Sequence, residues 1–417
     1  MIRLLPACLA LFAGLAASAQ QHDGAQTGPI SAGACETDPE TWAETALERS
    51  LSQPLGLPAI PHPPENPPTA AKIALGRKLF FDRRLSINRT MSCAMCHVPE
   101  QGFASWELAT AIGVEGRSVK RNAPTLINVG YLDPLFHDGR DHALETQFVG
   151  PMVARNEMAN PSIGFVVAEL NRLPDYRPLF DAAFAAPASL DRIGQALGAY
   201  QRSLTLGDSA FDRWYFGGDD TALGDAAKRG FGLFTGKADC AACHVLGSDD
   251  ALFTDQQFHD TSYGRMREAL RQNPPASKPV RVAPGVVHAV DFARIKAVSA
   301  RREADLGRYE VTEAPGDRWL FRTPGLRNLG VTRPYMHDGG FSTLADVLGF
   351  YNAGGAMHPE QDPRIRPLDL TPNELGDIEA FLLSLTSDGL GCLVAEARIQ
   401  PRTISETRRI TCVHAPP

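Results

Sequence analysis

The chain has 417 residues, of which 43% are hydrophobic and 21% charged, and its net charge is −7. This length fits two to three domains and is ample to bury a core, so no disulfide scaffold is needed. The acidic balance argues against a nucleic-acid-binding protein, which would carry a basic surface. The eight cysteines are too sparse for a Cys-rich scaffold, so the useful information is where they lie.

The first 19 residues have the pattern of a secretory signal peptide. A basic start, Met1-Ile2-Arg3, precedes an apolar run at 4–17 and the small residues Ala17-Ser18-Ala19. The apolar run is too short to span a bilayer, and no other stretch is long enough. We therefore expect cleavage near Ala19, export to the periplasm and no membrane span.

Residues 20–70 are predicted to form a leader ahead of the first domain. Seven prolines lie between residues 53 and 70, and such a composition favours an extended linker.

Two segments of the form Cys-x-x-Cys-His follow, CAMCH at 93–97 and CAACH at 240–244. Two thiols at this spacing can bond to one porphyrin while the adjacent histidine reaches its iron, which is typical of c-type haem attachment. A zinc knuckle or a thiol redox pair could explain one copy. Two copies in an exported chain favour two covalently bound c-type haems. The covalent attachment residues would be Cys93, Cys96, Cys240 and Cys243, and the iron ligands His97 and His244.

The surroundings of the two attachment segments also repeat. NAPTLIN (122–128) leads to FHDG (136–139), and TPGLRN (323–328) leads to MHDG (336–339). Such repetition predicts two similar modules, and helical periodicity is present at 188–204 and 374–385. We predict a mainly α fold of two tandem cytochrome c-like haem domains with long loops. The N-terminal haem domain would span 71–217 and the C-terminal one 218–390, with a loop at 272–287.

The last segment, 391–417, is predicted to be a tail that wraps over a domain. It contains Cys392 and Cys412, which could pair in an oxidising compartment and leave Cys35 over. The sequence alone does not decide this pairing.

From about residue 68 to 385 the chain resembles the bacterial dihaem cytochrome c peroxidase and MauG superfamily. The matching stretches are LGRKLFFDRRLS (75–86), SCAMCH (92–97), RNAPTLINVGYLDPLFHDGR (121–140), FRTPGLRNLGVTRPYMHDGG (321–340) and DVLGFYNAGG (346–355). The resemblance implies an open, peroxide-reactive haem in the N-terminal domain and a six-coordinate, electron-transferring haem in the C-terminal domain.

Three positions bear on the branch within that superfamily. Val114 stands where reductively gated peroxidases often have a histidine ligand, which implies an open first haem. Tyr351, fourteen residues after His337, stands where MauG has an iron-ligating tyrosine and the peroxidases have methionine. Met336 and Met357 are the rival ligands. His137 replaces a tryptophan that relatives place between the haems, so it is a possible inter-haem residue, or it satisfies a polar pocket or a propionate.

The resemblance also assigns a peroxide pocket and a calcium site. Glu157 would be the acid–base group for O–O cleavage, and Gln147 and Pro151 would line the same pocket. A calcium ion would be held between the domains by the side chain of Asn122 and the main-chain oxygens of Thr332 and Pro334. The arginines expected to pair with haem propionates are Arg121, Arg140, Arg322 and Arg327, while His259 and His337 would be structural or would face a propionate.

The resulting hypothesis is a MauG-like oxidoreductase. It would react with hydrogen peroxide to form a high-valent iron state and would oxidise a Tyr or Trp of a partner protein. The alternative is a cytochrome c peroxidase that reduces peroxide with electrons from a small cytochrome or cupredoxin. A third class, a pure electron-transfer cytochrome, would have two six-coordinate haems.

Overall fold

The structure, a computed structural model, describes Cys35 and residues 37–283, 286–298 and 303–399. The predicted signal peptide, the cleavage site and Cys412 lie outside these residues. The described chain is mainly helical, with fifteen α-helices separated by long loops and short 3₁₀ turns. The helices, α1 to α15, are Trp42–Leu51, Ala70–Phe81, Leu144–Gln147, Val149–Val153, Ile163–Arg172, Arg177–Phe184, Leu190–Ser203, Ala210–Tyr215, Asp225–Thr235, Tyr263–Gln272, Phe292–Val298, Tyr309–Thr312, Leu344–Asn352, Pro372–Ser384 and Leu390–Arg398.

In the part of the chain that the structure describes, four strands form two small antiparallel sheets. They are β1 (Phe258–His259), β2 (Ser277–Ala283), β3 (Val286–Asp291) and β4 (Phe321–Arg322). β1 pairs with β4, and β2 pairs with β3 from Ser277 opposite Asp291 onward. The prediction of a loop at 272–287 is therefore wrong, because valine-rich segments on both sides of Pro284-Gly285 favour a hairpin.

The helices predicted at 188–204 and 374–385 are confirmed as α7 and α14, and each packs on a glycine-containing partner. In α2, a Cβ added at Gly76 would overlap the carbonyl oxygen of Ala196 in α7. In α9, a Cβ at Gly230 would overlap the carbonyl oxygen of Asp377 in α14. Both crossings therefore need glycine, and they place the end of α2 and of α9 next to an attachment segment.

Two apolar clusters follow these two helix pairs. The first is built from α1, α2, α5, α6 and α7 and includes Ile73, Leu79 and Tyr200. The second is built from α8, α9, α13 and α14 and includes Phe211, Phe234 and Phe381. Burial of such side chains is the main stabilising contribution, at about 25 cal/mol per Å² of apolar surface.

The C-terminal helix α15 returns to the first cluster. Leu393 packs there, Arg77 donates to the carbonyl of Ala397 at 2.9 Å, and Arg49 forms a two-hydrogen-bond ion pair with Glu396. The disulfide is Cys35–Cys392, so the suggested Cys392–Cys412 pairing is wrong. Cys35 and α15 are far apart in the sequence but close in space, which spacing along the sequence cannot show.

None of the helices in the described residues is both long and apolar enough to cross a membrane.

Candidate functional site: two haem-attachment loops and their opposite faces

Both attachment segments begin with a single 3₁₀ turn, Cys93–Met95 and Cys240–Ala242. In each segment the amide of the histidine donates to the carbonyl of the first cysteine at 2.9 Å. The thiols of the segment are not disulfide-bonded to each other. This geometry leaves all four thiols available for covalent attachment of a porphyrin.

Each histidine of these segments is oriented by a carbonyl oxygen. His97 Nδ1 lies 3.1 Å from the Phe103 oxygen, and His244 Nδ1 lies 2.9 Å from the Phe253 oxygen. Burial lowers the pKa of both histidines. A neutral ring that donates from Nδ1 keeps Nε2 unprotonated, which is the tautomer that an iron ligand requires.

The two orienting phenylalanines were not identified in the sequence. Phe103 and Phe253 both have a φ of +53°, an uncommon conformation for a bulky residue, and uncommon conformations of this kind cluster at functional sites. They lie six and nine residues after their histidines, so unequal spacing hides the equivalence. The only sequence signal is a phenylalanine followed by a small residue.

A cavity lies at the first attachment segment. It is lined by Cys93, Cys96 and His97 together with the predicted pocket residues Gln147, Pro151 and Glu157. The structure therefore brings the predicted peroxide residues into one cavity with His97. The apolar lining includes residues absent from the prediction, among them Phe80, Met91, Met152, Met158 and Leu197.

Glu157 is the acidic side chain of this cavity. Burial raises its pKa, and Arg140 acts in the opposite direction. Its carbonyl oxygen accepts from the amide of Val114 at 2.9 Å, and Val114 is buried. The backbone of Val114 thus lies beside that of Glu157, and an aliphatic side chain at position 114 supplies no ligand atom.

The second attachment segment faces Tyr351 instead. The phenol lies near the thiols of Cys240 and Cys243 and forms a hydrogen bond with Thr261. Burial, together with the two thiols, raises the pKa of Tyr351 to about 12. Of the rival ligands, Met357 is 61% exposed, and Met336 lies outside α13, the helix that carries Tyr351.

Asn122 and Thr332, two residues of the suggested calcium site, each contact the other half of the chain. Asn122 is buried, its amide donates to the His337 carbonyl at 2.7 Å, and its Nδ2 donates to the Ala109 carbonyl at 2.9 Å. Its Oδ1 is then the side-chain atom left for a cation. Thr332 packs against Gly102, and Pro334 follows a cis peptide bond. This set of hard oxygen donors is compatible with calcium.

His137 lies at the same contact. Its Nε2 is 3.1 Å from the carbonyl oxygen of Asn122. Burial lowers its pKa to about 3, and the charges on His337 and Arg121 add to this effect. His337 stacks on Phe321 at 3.8 Å between ring centroids. A neutral, hydrogen-bonded imidazole fits the reading that His137 satisfies a polar pocket.

The four arginines expected near propionates divide into two groups. Arg121 pairs with Asp138 and Asp305, Arg140 pairs with Asp138, and Arg327 pairs with Asp212. Arg322 is buried and has no carboxylate partner among the described residues; its Nε donates to the carbonyl of Phe136 at 3.0 Å. Burial lowers its pKa to about 10. Arg322 is therefore the cation best suited to an additional anionic group.

His259 is held between two carboxylates, Asp255 at 2.9 Å and Asp362 at 2.8 Å. Its ring, Asp255 and Cys243 bring possible metal-ligand atoms within 4.8 Å of one another. Since Cys243 belongs to the second attachment segment, this group is explained without a separate metal.

A helical protein with two Cys-x-x-Cys-His loops, each with a carbonyl-oriented histidine, has the features of a dihaem c-type cytochrome. Comparison with known proteins gives the family. Residues 70–221 match the model of the di-haem cytochrome c peroxidase family, and the chain belongs to this family of peroxidase-type oxidoreductases, whose members carry two haems.

Relatives of both kinds are similar to this chain. The methylamine utilization protein MauG of Methylorubrum extorquens is 36% identical over 79% of this chain and 82% of its own length. The cytochrome-c peroxidase IdrP1 of Denitromonas iodatirespirans is 35% identical over 83% of this chain and 90% of its own. Among solved structures, a MauG-like protein associated with microbial copper homeostasis has a TM-score of 0.66 at 30% identity, covering 82% of this chain and 96% of that one.

Proposed function

We propose that this chain is a periplasmic MauG-like oxidoreductase that uses hydrogen peroxide to oxidise a Tyr or Trp of a partner protein. The observation that carries the proposal is the contrast between the two opposite faces. A cavity that His97 lines also contains the carboxyl of Glu157, and the phenol of Tyr351 lies near the thiols of the second attachment segment. The identity to MauG and to peroxidases is nearly equal, so the identities do not decide between them.

In the first cavity, the haem held by Cys93, Cys96 and His97 would supply a redox-active iron for peroxide. Glu157 would accept a proton from peroxide and return it to the departing oxygen, a role for which a carboxyl with a raised pKa is well suited. Gln147 would orient peroxide by hydrogen bonding, and Pro151 would help to exclude water. Val114 would leave this side free without prior reduction.

On the second side, Cys240, Cys243 and His244 would hold the other haem, and the phenol of Tyr351 would supply a further oxygen ligand for its iron. A phenolate oxygen is a hard anionic donor that stabilises the oxidised metal, whereas a thioether favours the reduced one. Burial raises the pKa of Tyr351, and contact with a metal cation would lower it again. Asn122, Thr332 and Pro334 would hold calcium between the halves, next to His137.

The test combines spectroscopy and stoichiometry on the haem-loaded protein. The resting ferric protein should show one high-spin and one low-spin haem, and Tyr351→Met should change the low-spin signal alone. One equivalent of peroxide should leave both of its oxidising equivalents on the protein for seconds or longer, as measured by back-titration with ascorbate. Two low-spin haems, or immediate loss of the equivalents, would overturn the proposal.

The second candidate is a cytochrome c peroxidase, favoured by the similarity to IdrP1. It predicts fast steady-state reduction of peroxide by a reduced small cytochrome or cupredoxin. Unchanged spectra in Tyr351→Met, together with a changed low-spin signal in Met336→Leu, would favour this candidate.

A further inference from the structure

A basic arm projects from the C-terminal half and has no role in the sites above. It consists of residues 273–283 and 286–298, which contain the paired strands β2 and β3 and the helix α11. Between its attachment segment and its TPGLRN repeat, the C-terminal half has residues 245–322, whereas the N-terminal half has only 98–121 between the corresponding points. The arm lies within this extra length.

The charge of the arm is opposite to that of the chain. It contains four Lys or Arg (Lys278, Arg281, Arg294 and Lys296) and one acidic residue, Asp291, whereas the chain as a whole has a net charge of −7. Arg294 and Lys296 are exposed, and neither forms an ion pair with any residue that the structure describes. Their charge is therefore presented to solvent.

The arm also exposes apolar side chains beside these charges. Val286 is 44% exposed and Val287 is 56% exposed. Among the described strands, β2 and β3 pair only with each other, and an isolated two-stranded hairpin is marginal on its own. Apolar side chains next to open strand edges and rimmed by charge are typical of protein interaction sites.

The helix α10 joins the arm to the residues around Tyr351. The arm follows α10, whose first residue Tyr263 is buried and contacts Phe350 and His337, at 5.7 and 5.5 Å between ring centroids. Thr261, two residues earlier, forms the hydrogen bond with Tyr351. A protein bound at the arm would thus lie on the side of the molecule that carries the second haem site.

We propose that the basic arm is the docking surface for an acidic partner protein that exchanges electrons with the second site. Opposite charge would steer the partner and the exposed valines would contact it, a combination that governs the rate of encounter more than the final affinity. This inference rests on the proposed function, since it needs an electron-exchanging site behind Tyr351. A membrane surface could also bind the basic residues, but it would have no need of the link between the arm and Tyr351. We therefore favour a protein partner.

The experiment uses a matched pair of probes, a small lysine-rich cytochrome c and the same cytochrome after complete succinylation, which makes it acidic. Affinity for the haem-loaded protein is measured by titration calorimetry, and peroxide-dependent oxidation of each ferrous probe is measured as a function of salt. The succinylated form should bind more tightly and have the lower KM, and added salt should raise that KM. The variant Arg294→Glu/Lys296→Glu should raise both its Kd and its KM by about tenfold.

The control is Arg172→Glu/Arg177→Glu, which makes the same change in net charge on exposed side chains of the N-terminal half and should leave Kd and KM unchanged. Peroxide turnover with guaiacol, a neutral donor, should be the same in the parent, the arm variant and the control variant.

If the parent protein does not oxidise guaiacol with peroxide, the proposed function is refuted. Normal guaiacol turnover with no effect of the arm variant on either probe would refute the docking surface alone. Binding of the parent, but not the arm variant, to phosphatidylglycerol vesicles, with unchanged probe binding, would assign the arm to lipid and overturn the protein partner.

Discussion

The two haem sites share one scaffold and differ on the face opposite the histidine. Gly76 and Gly230 allow the same close helix crossing, and Phe103 and Phe253 orient the two histidines from the same unusual conformation. The cavity at His97, by contrast, contains a carboxyl, that of Glu157. Across from the second attachment segment there is a phenol.

This comparison indicates how one module can serve two purposes. The helix crossing and the histidine orientation set the position of each haem, and they are the same in both halves. The opposite face consists of loops and short helices, which can change without disturbing the crossing. The division of labour between peroxide chemistry and electron transfer would therefore depend on a few residues that do not hold the scaffold together.

The largest expected effect is on the open side. Glu157→Gln should lower kcat/KM for peroxide by about 10²–10⁴-fold, because a positioned acid–base group contributes that much. Stopped-flow reaction with peroxide checks this, with haem absorbance as a measure of intact attachment. The control is Glu115→Gln, on an exposed carboxylate of the neighbouring turn, which should react as the parent does. A loss of less than threefold would remove Glu157 from the proposed chemistry.

The shared scaffold predicts the next largest effect. Gly76→Ala and Gly230→Ala should each lower the free energy of unfolding by about 1–3 kcal/mol, since the added methyl meets backbone that cannot move aside. Denaturant titration of the haem-loaded variants measures this.

The matched control is Gly232→Ala in the same helix as Gly230. A Cβ there meets nothing within 4 Å, so alanine should raise stability by up to about 1 kcal/mol. If the three variants behave alike, the two crossings are not the rigid element of the scaffold.

The sequence predicted the features that the two haem sites share better than the features in which they differ. Two attachment segments and two amphipathic helices leave strong periodic signals, and α7 and α14 lie where those signals placed them. The orienting carbonyls of Phe103 and Phe253 were not found, because every residue has a main-chain oxygen and the two phenylalanines lie at different spacings from their histidines. The Cys35–Cys392 disulfide and the docking of α15 join distant parts of the chain, and they depend on packing that no local pattern encodes.

A substitution at Tyr351, on the side of the second attachment segment, should have a smaller effect on turnover. Tyr351→Phe keeps the ring but removes the oxygen, so peroxide should still react at the first site while delivery of electrons through the second falls by about tenfold, a change of about 1.4 kcal/mol. The readouts are the stopped-flow peroxide reaction, expected to be unchanged, and oxidation of a reduced cytochrome, expected to be slower. Equal losses in both would mean that the two faces are not separate in function.

The smallest expected effect is on pH dependence, and it too should belong to the open side alone. Burial raises the pKa of Glu157, so its carboxyl is protonated below that pKa and cannot accept a proton from peroxide. kcat/KM for peroxide should therefore fall as the pH falls through the pKa of Glu157, which lies above that of an ordinary glutamate. Glu157→Gln should not show this decrease at low pH.

The stability of the folded protein should depend on pH in the opposite direction. A carboxyl whose pKa is raised in the folded state favours the folded protein at low pH, and this contribution is lost as pH rises through the folded pKa. Glu157→Gln should thus also flatten the dependence of stability on pH, while the spectrum of the second haem stays constant across the same range.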